Sequence, residues 1–148
     1  LEKCNSEESG LKTRDERGCT PFMWACGNGH KDAVQLLLNH PDIDLNAKDH
    51  HFEETALMAA CSRGHKDVVQ LLLDHSERIQ LNARDSEGKT AFIFACHWGH
   101  KDVVKLLLDH RKANIDWNAR DDYGRTALMF AHDQEVIKLL FDHSEVRK

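Results

Sequence analysis

Residues 68–73 read VVQLLL and residues 103–108 read VVKLLL, while residues 33–38 read AVQLLL. In each stretch five of six positions are apolar. A helix on a protein surface carries a narrower stripe than this. These segments are expected to be helices covered on several sides. Ahead of each lies a shorter apolar stretch opening on a threonine: TPFMWAC, TALMAAC, TAFIFAC and, near the end, TALMFAH. The threonine can accept from the first backbone N–H groups of a helix, and Pro21 fits the first helical position, where no N–H is needed. The pattern therefore predicts pairs of helices, a short one and a longer one, joined at Gly29, Gly64 and Gly99, where glycine ends a helix well.

The pairs recur. Thr20, Thr55, Thr90 and Thr126 are 35, 35 and 36 residues apart. The phrases GHKDAVQLLLNH, GHKDVVQLLLDH and GHKDVVKLLLDH begin at Gly29, Gly64 and Gly99. Before each threonine lies a turn, D-x-x-G-x-T, with Gly18, Gly88 and Gly124 supplying a backbone tolerant of positive φ. No single unit can bury so wide a stripe, so stacking of units is obligatory.

Turn, short helix, Gly-His, long helix and Asn-Ala recurring in phase resemble the ankyrin repeat. The resemblance covers residues 15–148 and implies an all-α solenoid of helix–turn–helix units joined by β-turn or hairpin loops. The units fall at 15–48, 49–84, 85–120 and 121–148. Leu11 to Asp15 lines up with Leu81 to Asp85, so residues 1–14 read as the tail of a preceding unit or a cap. The chain opens at Leu1 without an initiator methionine, which fits an excised segment or processed product.

Departures from the family pattern sharpen the expectations. The family's histidine after T-P-L is replaced by Met23, Met58, Ile93 and Met129. That shifts cohesion between units toward apolar contacts. The link from the second helix to the loop asparagine lengthens along the chain: Asn46 lies 8 residues past Leu38, Asn82 lies 9 past Leu73, and Asn118 lies 10 past Leu108. The second turn, His50 to Glu54, lacks glycine and gains a residue. The fourth unit drops three residues between Ala131 and Val136, so its first helix should be short.

A net charge of -5 argues against a general nucleic-acid binder and against an anionic membrane surface. The longest apolar run is broken by Lys105, so nothing spans a bilayer, and no signal peptide is visible. The five cysteines, Cys4, Cys19, Cys26, Cys61 and Cys96, are odd in number. Three share one phase of the repeat. Stacked helices lie about 10 Å apart, beyond the roughly 7 Å reach of a disulfide. They read as buried fillers in a reducing compartment, placing the protein inside the cell, in cytoplasm or nucleus.

Eleven histidines invite a metal reading. The ladders His30, His65, His100 and His40, His75, His110, His143 have rungs about 10 Å apart, which cannot converge on a zinc at about 2 Å. The first ladder reads as capping the junction between helices. His50-His51 has no Cys or carboxylate spacing of a metal site. Cys26–His30, Cys61–His65 and Cys96–His100 have nucleophile–base spacing, but each histidine follows a helix-ending glycine, and triplication does not suit a catalytic site. No phosphate-binding loop is present. No enzyme activity, metal or cofactor is expected. Asn46, Asn82 and Asn118 sit where ankyrin repeats resemble substrates of an asparaginyl hydroxylase; holding the hairpin by side-chain hydrogen bonds is their expected main role.

What remains is the set of letters that change between uniform units. The family binds proteins in a concave groove of turn tips and first helices. Position by position, that implies Arg17, Trp24, Asn28, Phe52, Arg63, Lys89, Phe94, Trp98, Tyr123 and Arg125 as partner-binding candidates. Phe94 and Trp98, four apart, would share a helical face, and aromatics with arginine dominate interface hot spots. Trp24, Phe94 and Phe130 equally suit gap filling between units. Glu53, Glu54, Glu87 and Lys89, taken singly, read as solvated rim. The expected function is a monomeric protein–protein interaction module. The alternative is a spacer segment of a longer array without a dedicated partner.

Overall fold

The computed structural model describes residues 10–110 and 112–146, with side chains through residue 144. Cys4 and most of the segment expected to end a preceding unit lie outside the described residues. Residues 10–12 are helical. Helix pairs then follow: α1 (Pro21–Gly27) with α2 (Lys31–Leu38), α3 (Ala56–Arg63) with α4 (Lys66–Asp74), α5 (Ala91–His97) with α6 (Lys101–Asp109), and α7 (Ala127–Phe130) with α8 (Gln134–Val146). The described residues contain no strand. First helices stack on first helices, α1 on α3 on α5 on α7. Second helices stack likewise, α2 on α4 on α6 on α8.

Local chemistry starts each first helix. The Thr20, Thr55 and Thr90 side chains accept from the backbone N–H of Met23, Met58 and Ile93 at 3.2–3.3 Å. Each such cap contributes about 1 kcal/mol. The Met23 and Met58 sulfurs accept in turn from the backbone N–H of Thr20 and Thr55 at 3.4 Å, closing a reciprocal box with a weak acceptor. Ile93 has no such atom. Met23, Met58 and Ile93 are buried between units, whereas Met129 is exposed, because α7 is only four residues long and Thr126 makes no side-chain cap.

Apolar burial fills the space between the two layers. Val68, Val69, Leu72 and Leu73 of α4 are buried, with Leu71 partly so. Burying each such side chain contributes about 1.5–3 kcal/mol. The stripe is thus covered on three of its sides, as its width demands. Cys26, Cys61 and Cys96 lie in the same core as free thiols. Burial pushes all three thiols up, Cys96 to about 12.

Polar bonds between units run alongside. The first histidine ladder does not cap its own helices: His30, His65 and His100 make no side-chain cap bond. Instead His65 Nε2 donates to the Gly27 carbonyl at 2.9 Å and His100 Nε2 to the Ser62 carbonyl at 2.8 Å. Each histidine thus closes the end of the preceding unit's first helix. The ring lies so close that a Cβ at Gly29 would sit 2.6 Å from His65 Nδ1, and one at Gly64 2.5 Å from His100 Nδ1. Glycine is required there by packing as well as by its positive φ of 71° and 74°.

The loops are held by two further ladders. Asn46 Nδ2 donates to the Arg78 carbonyl at 3.0 Å and its Oδ1 accepts from Gln80 N–H at 2.7 Å. Asn82 does the same with the Asn114 carbonyl and Asp116 N–H. The asparagines therefore bridge units rather than closing their own hairpins. Arg14, Lys48 and Arg84 each donate to the carbonyl of the next basic residue, Lys48, Arg84 and Arg120, at 2.7–2.8 Å. The growing loop length is absorbed by a 3₁₀ turn at Ser76–Arg78 and by Asn114 at φ 47°.

Each turn is organised by its aspartate. Asp15, Asp49, Asp85 and Asp121 Oδ1 each accept two backbone N–H groups of the turn at 2.8–3.1 Å. Neighbouring turns are linked backbone to backbone, His50 N–H to the Arg17 carbonyl, Ser86 to Phe52, and Asp122 to Glu87, at 2.8–2.9 Å. In the second turn Glu53 stands two residues before the threonine, where the other units have glycine, and adopts φ 57°.

Two outcomes follow. A side chain in the left-handed region costs about 1–2 kcal/mol, so Glu53→Gly should raise unfolding free energy by about 1 kcal/mol in urea titration, after glycine's own entropy cost. Under native conditions Cys26, Cys61 and Cys96 should resist iodoacetamide, with alkylation of their peptides in mass spectra appearing only in denaturant.

Candidate functional site

The turn tips and the first-helix layer share one side of the molecule. The aspartate-held turns project Arg17, Phe52, Lys89, Tyr123 and Arg125, and the ends of α1, α3 and α5 present Asn28, Arg63 and Trp98 at equivalent positions 35 residues apart. The candidates gather into two groups, one at each end of the described array.

At the junction of the first two units, Arg17, Trp24, Asn28 and Arg63 line a cleft of about 70 Å³ with Glu54 and Asp49. Trp24 is 50% exposed, so it is not a gap filler. Its indole Nε1 donates to Asp15 Oδ2 at 2.9 Å, fixing the ring as one wall. Arg63 Nη1 donates to the Gly27 carbonyl at 3.1 Å and to Asn28 Oδ1 at 3.4 Å, which holds the guanidinium across the junction. Glu54 is half-buried rather than a solvated rim. Burial, then Asp49 and Asp85, push its carboxyl above the usual range, and no cation pairs with it among the described residues. Cys19 is raised by burial and by Asp15, Asp49 and Glu54.

The second group lies at the junction of the third and fourth units. Lys89 Nζ lies 5.6 Å from the centroid of Phe130 and 6.0 Å from that of Phe94. Arg125 Cζ lies 4.6 Å from Phe130 and 4.9 Å from Tyr123. These are cation–π distances. Lys89 pairs with Glu87 at 2.9 Å and its side chain is only 21% exposed, so it too is more than rim. Arg125 Nε donates to the buried Asp121 at 2.8 Å. His97 stands beside Phe130 at 5.2 Å and Trp98 at 4.8 Å. Burial, then Lys89, His132 and Arg125, hold its pKa below the ordinary histidine value.

Some expectations change here. Trp98 lies just past the end of α5, and the ring it meets is His97, not Phe94. Phe94 is partly buried and Phe130 buried, so both support the junction, while Trp98 and Tyr123 are 58% and 73% exposed. Phe52, 44% exposed, stacks edge-on to His51 and joins neither group. The sequence reading passed over Asp15, Asp121 and His132. The aspartates recur in every unit, so reading that column for side-chain acceptors rather than its neighbouring glycine would have found them.

No group of three or more His, Cys, Asp or Glu that could hold a metal ion occurs among the described residues. Nor is any helix among them long and apolar enough to cross a membrane.

The family comparison settles what kind of array this is. The model of ankyrin repeats in three copies matches residues 2–85, 41–121 and 77–148. The chain belongs to the ankyrin repeat family. Ankyrin repeats are generally protein-interaction modules. Among curated proteins the chain is similar to osteoclast-stimulating factor 1. With that of Monopterus albus it is 44% identical over 45 residues, 30% of this chain and 21% of that protein. With that of Danio rerio it is 41% identical over 46 residues, 31% and 22% of the two chains. The Rattus norvegicus protein is 39% identical over 46 residues, with the same two shares. The likeness thus spans about a fifth of those relatives.

Glu54 offers a pH test of this electrostatic picture. Its folded pKa is raised above the unfolded one, so the native state holds the proton more tightly and stability falls as pH rises through the carboxylate range. Glu54→Gln removes that loss. The variant should melt higher than the parent at neutral pH by calorimetry, and the difference should vanish below the carboxylate range.

Proposed function

We propose that this chain is a protein–protein interaction module, binding a partner protein across the concave face of turn tips and first helices. The observation that carries the reading is the exposure of Trp24, Trp98 and Tyr123 on that side, at positions where the units differ. Large rings at half exposure or more leave apolar area in water that a partner would remove. Their neighbours Arg63, Lys89 and Arg125 are already anchored within the protein, which lowers the ordering cost of binding.

On this reading the protein is a monomer with no catalytic role, metal or cofactor, and no nucleic-acid partner. The buried thiols fit a reducing compartment, cytoplasm or nucleus. Which protein is bound does not carry over from osteoclast-stimulating factor 1, because the shared stretch is a fraction of either chain. The competing reading is a spacer within a longer array. The irregular aromatic groups favour a module, since a spacer needs no anchored rings at its junctions.

Trp98→Ala combined with Tyr123→Ala should weaken partner binding by more than about 2 kcal/mol with the melting temperature almost unchanged. Affinity capture from source cells, parent beside double variant, followed by calorimetric titration of the captured partner, measures the first. Differential scanning calorimetry measures the second. A melting collapse would make both rings structural, and identical capture by the two proteins would favour the spacer.

A further inference from the structure

We propose that the junction of the third and fourth units docks an acidic, partly apolar stretch of a partner protein. Its carboxylates would settle between Lys89 and Arg125, and its apolar side chains would cover Trp98 and Tyr123. The proposal rests on the reading that this face binds protein and adds the chemistry of what is bound.

Geometry is the first support. Two cations share one ring, Lys89 Nζ at 5.6 Å and Arg125 Cζ at 4.6 Å from the Phe130 centroid. Each is paired with one carboxylate, Lys89 with Glu87 and Arg125 with Asp121. The Asp121 carboxylate is further shared, since its Oδ1 accepts from the backbone N–H groups of Tyr123 and Arg125. The Nη nitrogens of Arg125 take no hydrogen bond among the described residues, although Nε is fixed at 2.8 Å. A guanidinium held by one edge and stacked between Tyr123 and Phe130 is a preorganised fork, and a carboxylate matches a fork in two bonds.

The second support is what the rings leave uncovered: beside the two cations, Trp98 and Tyr123 are 58% and 73% exposed. Aromatic area beside the cations asks for apolar side chains next to the carboxylates. A nucleic acid fits less well, because the chain carries a net charge of -5.

The test uses fluorescence anisotropy with a labelled peptide alternating glutamate and leucine, against the same peptide with glutamine for glutamate. The glutamate peptide should bind about tenfold more tightly or better, and its affinity should fall as salt is added. Lys89→Gln and Arg125→Gln should each weaken it about tenfold. Lys105→Gln, which removes the same charge from the second-helix layer, should leave it unchanged. Arg125→Gln strips Asp121 of its partner and can loosen the last unit, so circular dichroism accompanies it and Lys89→Gln stands as the independent variant. Equal binding of the two peptides, undiminished binding by Lys89→Gln, or an equal loss with Lys105→Gln would overturn the assignment. So would a single-stranded oligonucleotide that binds as tightly as the glutamate peptide. A captured partner that depends on Trp98 and Tyr123 but shows no acidic preference would sink this assignment alone and leave the interaction module standing.

Discussion

The first two units each end their first helix on a carbonyl that the next unit closes. Gly27 and Ser62 accept from His65 and His100, whose rings occupy the space a Cβ at Gly29 or Gly64 would need. A buried carbonyl without a partner costs about 1–3 kcal/mol, so a unit separated from its successor is left with an unpaired acceptor as well as an uncovered apolar stripe. Histidine bridge, asparagine ladder and basic ladder all reach forward or backward across one junction and no further. Stability is therefore built from nearest-neighbour terms, as in other stacked repeats.

That arrangement decides where the sequence is free to vary. Columns that hold a turn, make room at a junction or bond across it keep their letters: the turn aspartate, Gly29 with Gly64, His65 with His100, Asn46 with Asn82. The column Asn28, Arg63, Trp98 has three different residues; it lies at the end of the first helix, where all three are exposed. Residues in such a column can change without disturbing the rod. The exception is Lys89. It pairs with Glu87 and lies over Phe130, so it belongs at once to the junction and to the surface.

Periodicity made the architecture readable before any coordinates. Helix pairs, their glycine ends and the need for stacking follow from the wide Val/Leu stripe and the recurring threonines. What a single unit cannot display is a bond to its neighbour. The histidines read as caps of a junction between helices and the asparagines as ties of the hairpin, with no sign that their partners lie 32–38 residues away. Glu54 and Lys89 looked like solvated charges for the same reason: the groups that bury or pair them come partly from adjoining turns. Of the candidate site, the exposed rings were legible as variable letters. Their grouping at two junctions was not, since it depends on which residues the stack brings together.

The last junction shows why variation and function coincide. Asp133 replaces the bridging histidine, and its Oδ1 accepts from the N–H groups of Glu135 and Val136 to start α8. It caps its own helix instead. The three-residue deletion also shortens α7 to one turn and brings His132 beside His97 at 6.2 Å. Cohesion there passes to Phe130 with its two cations and to the Lys101–Glu135 pair at 2.7 Å. Both side chains of that pair are about half-exposed, so it contributes little. Where the repeating polar code lapses, aromatic and cationic groups take over the joint, and they remain partly uncovered. This junction leaves a guanidinium edge, an indole and a phenol ring in water, the groups on which the proposed recognition at this end rests.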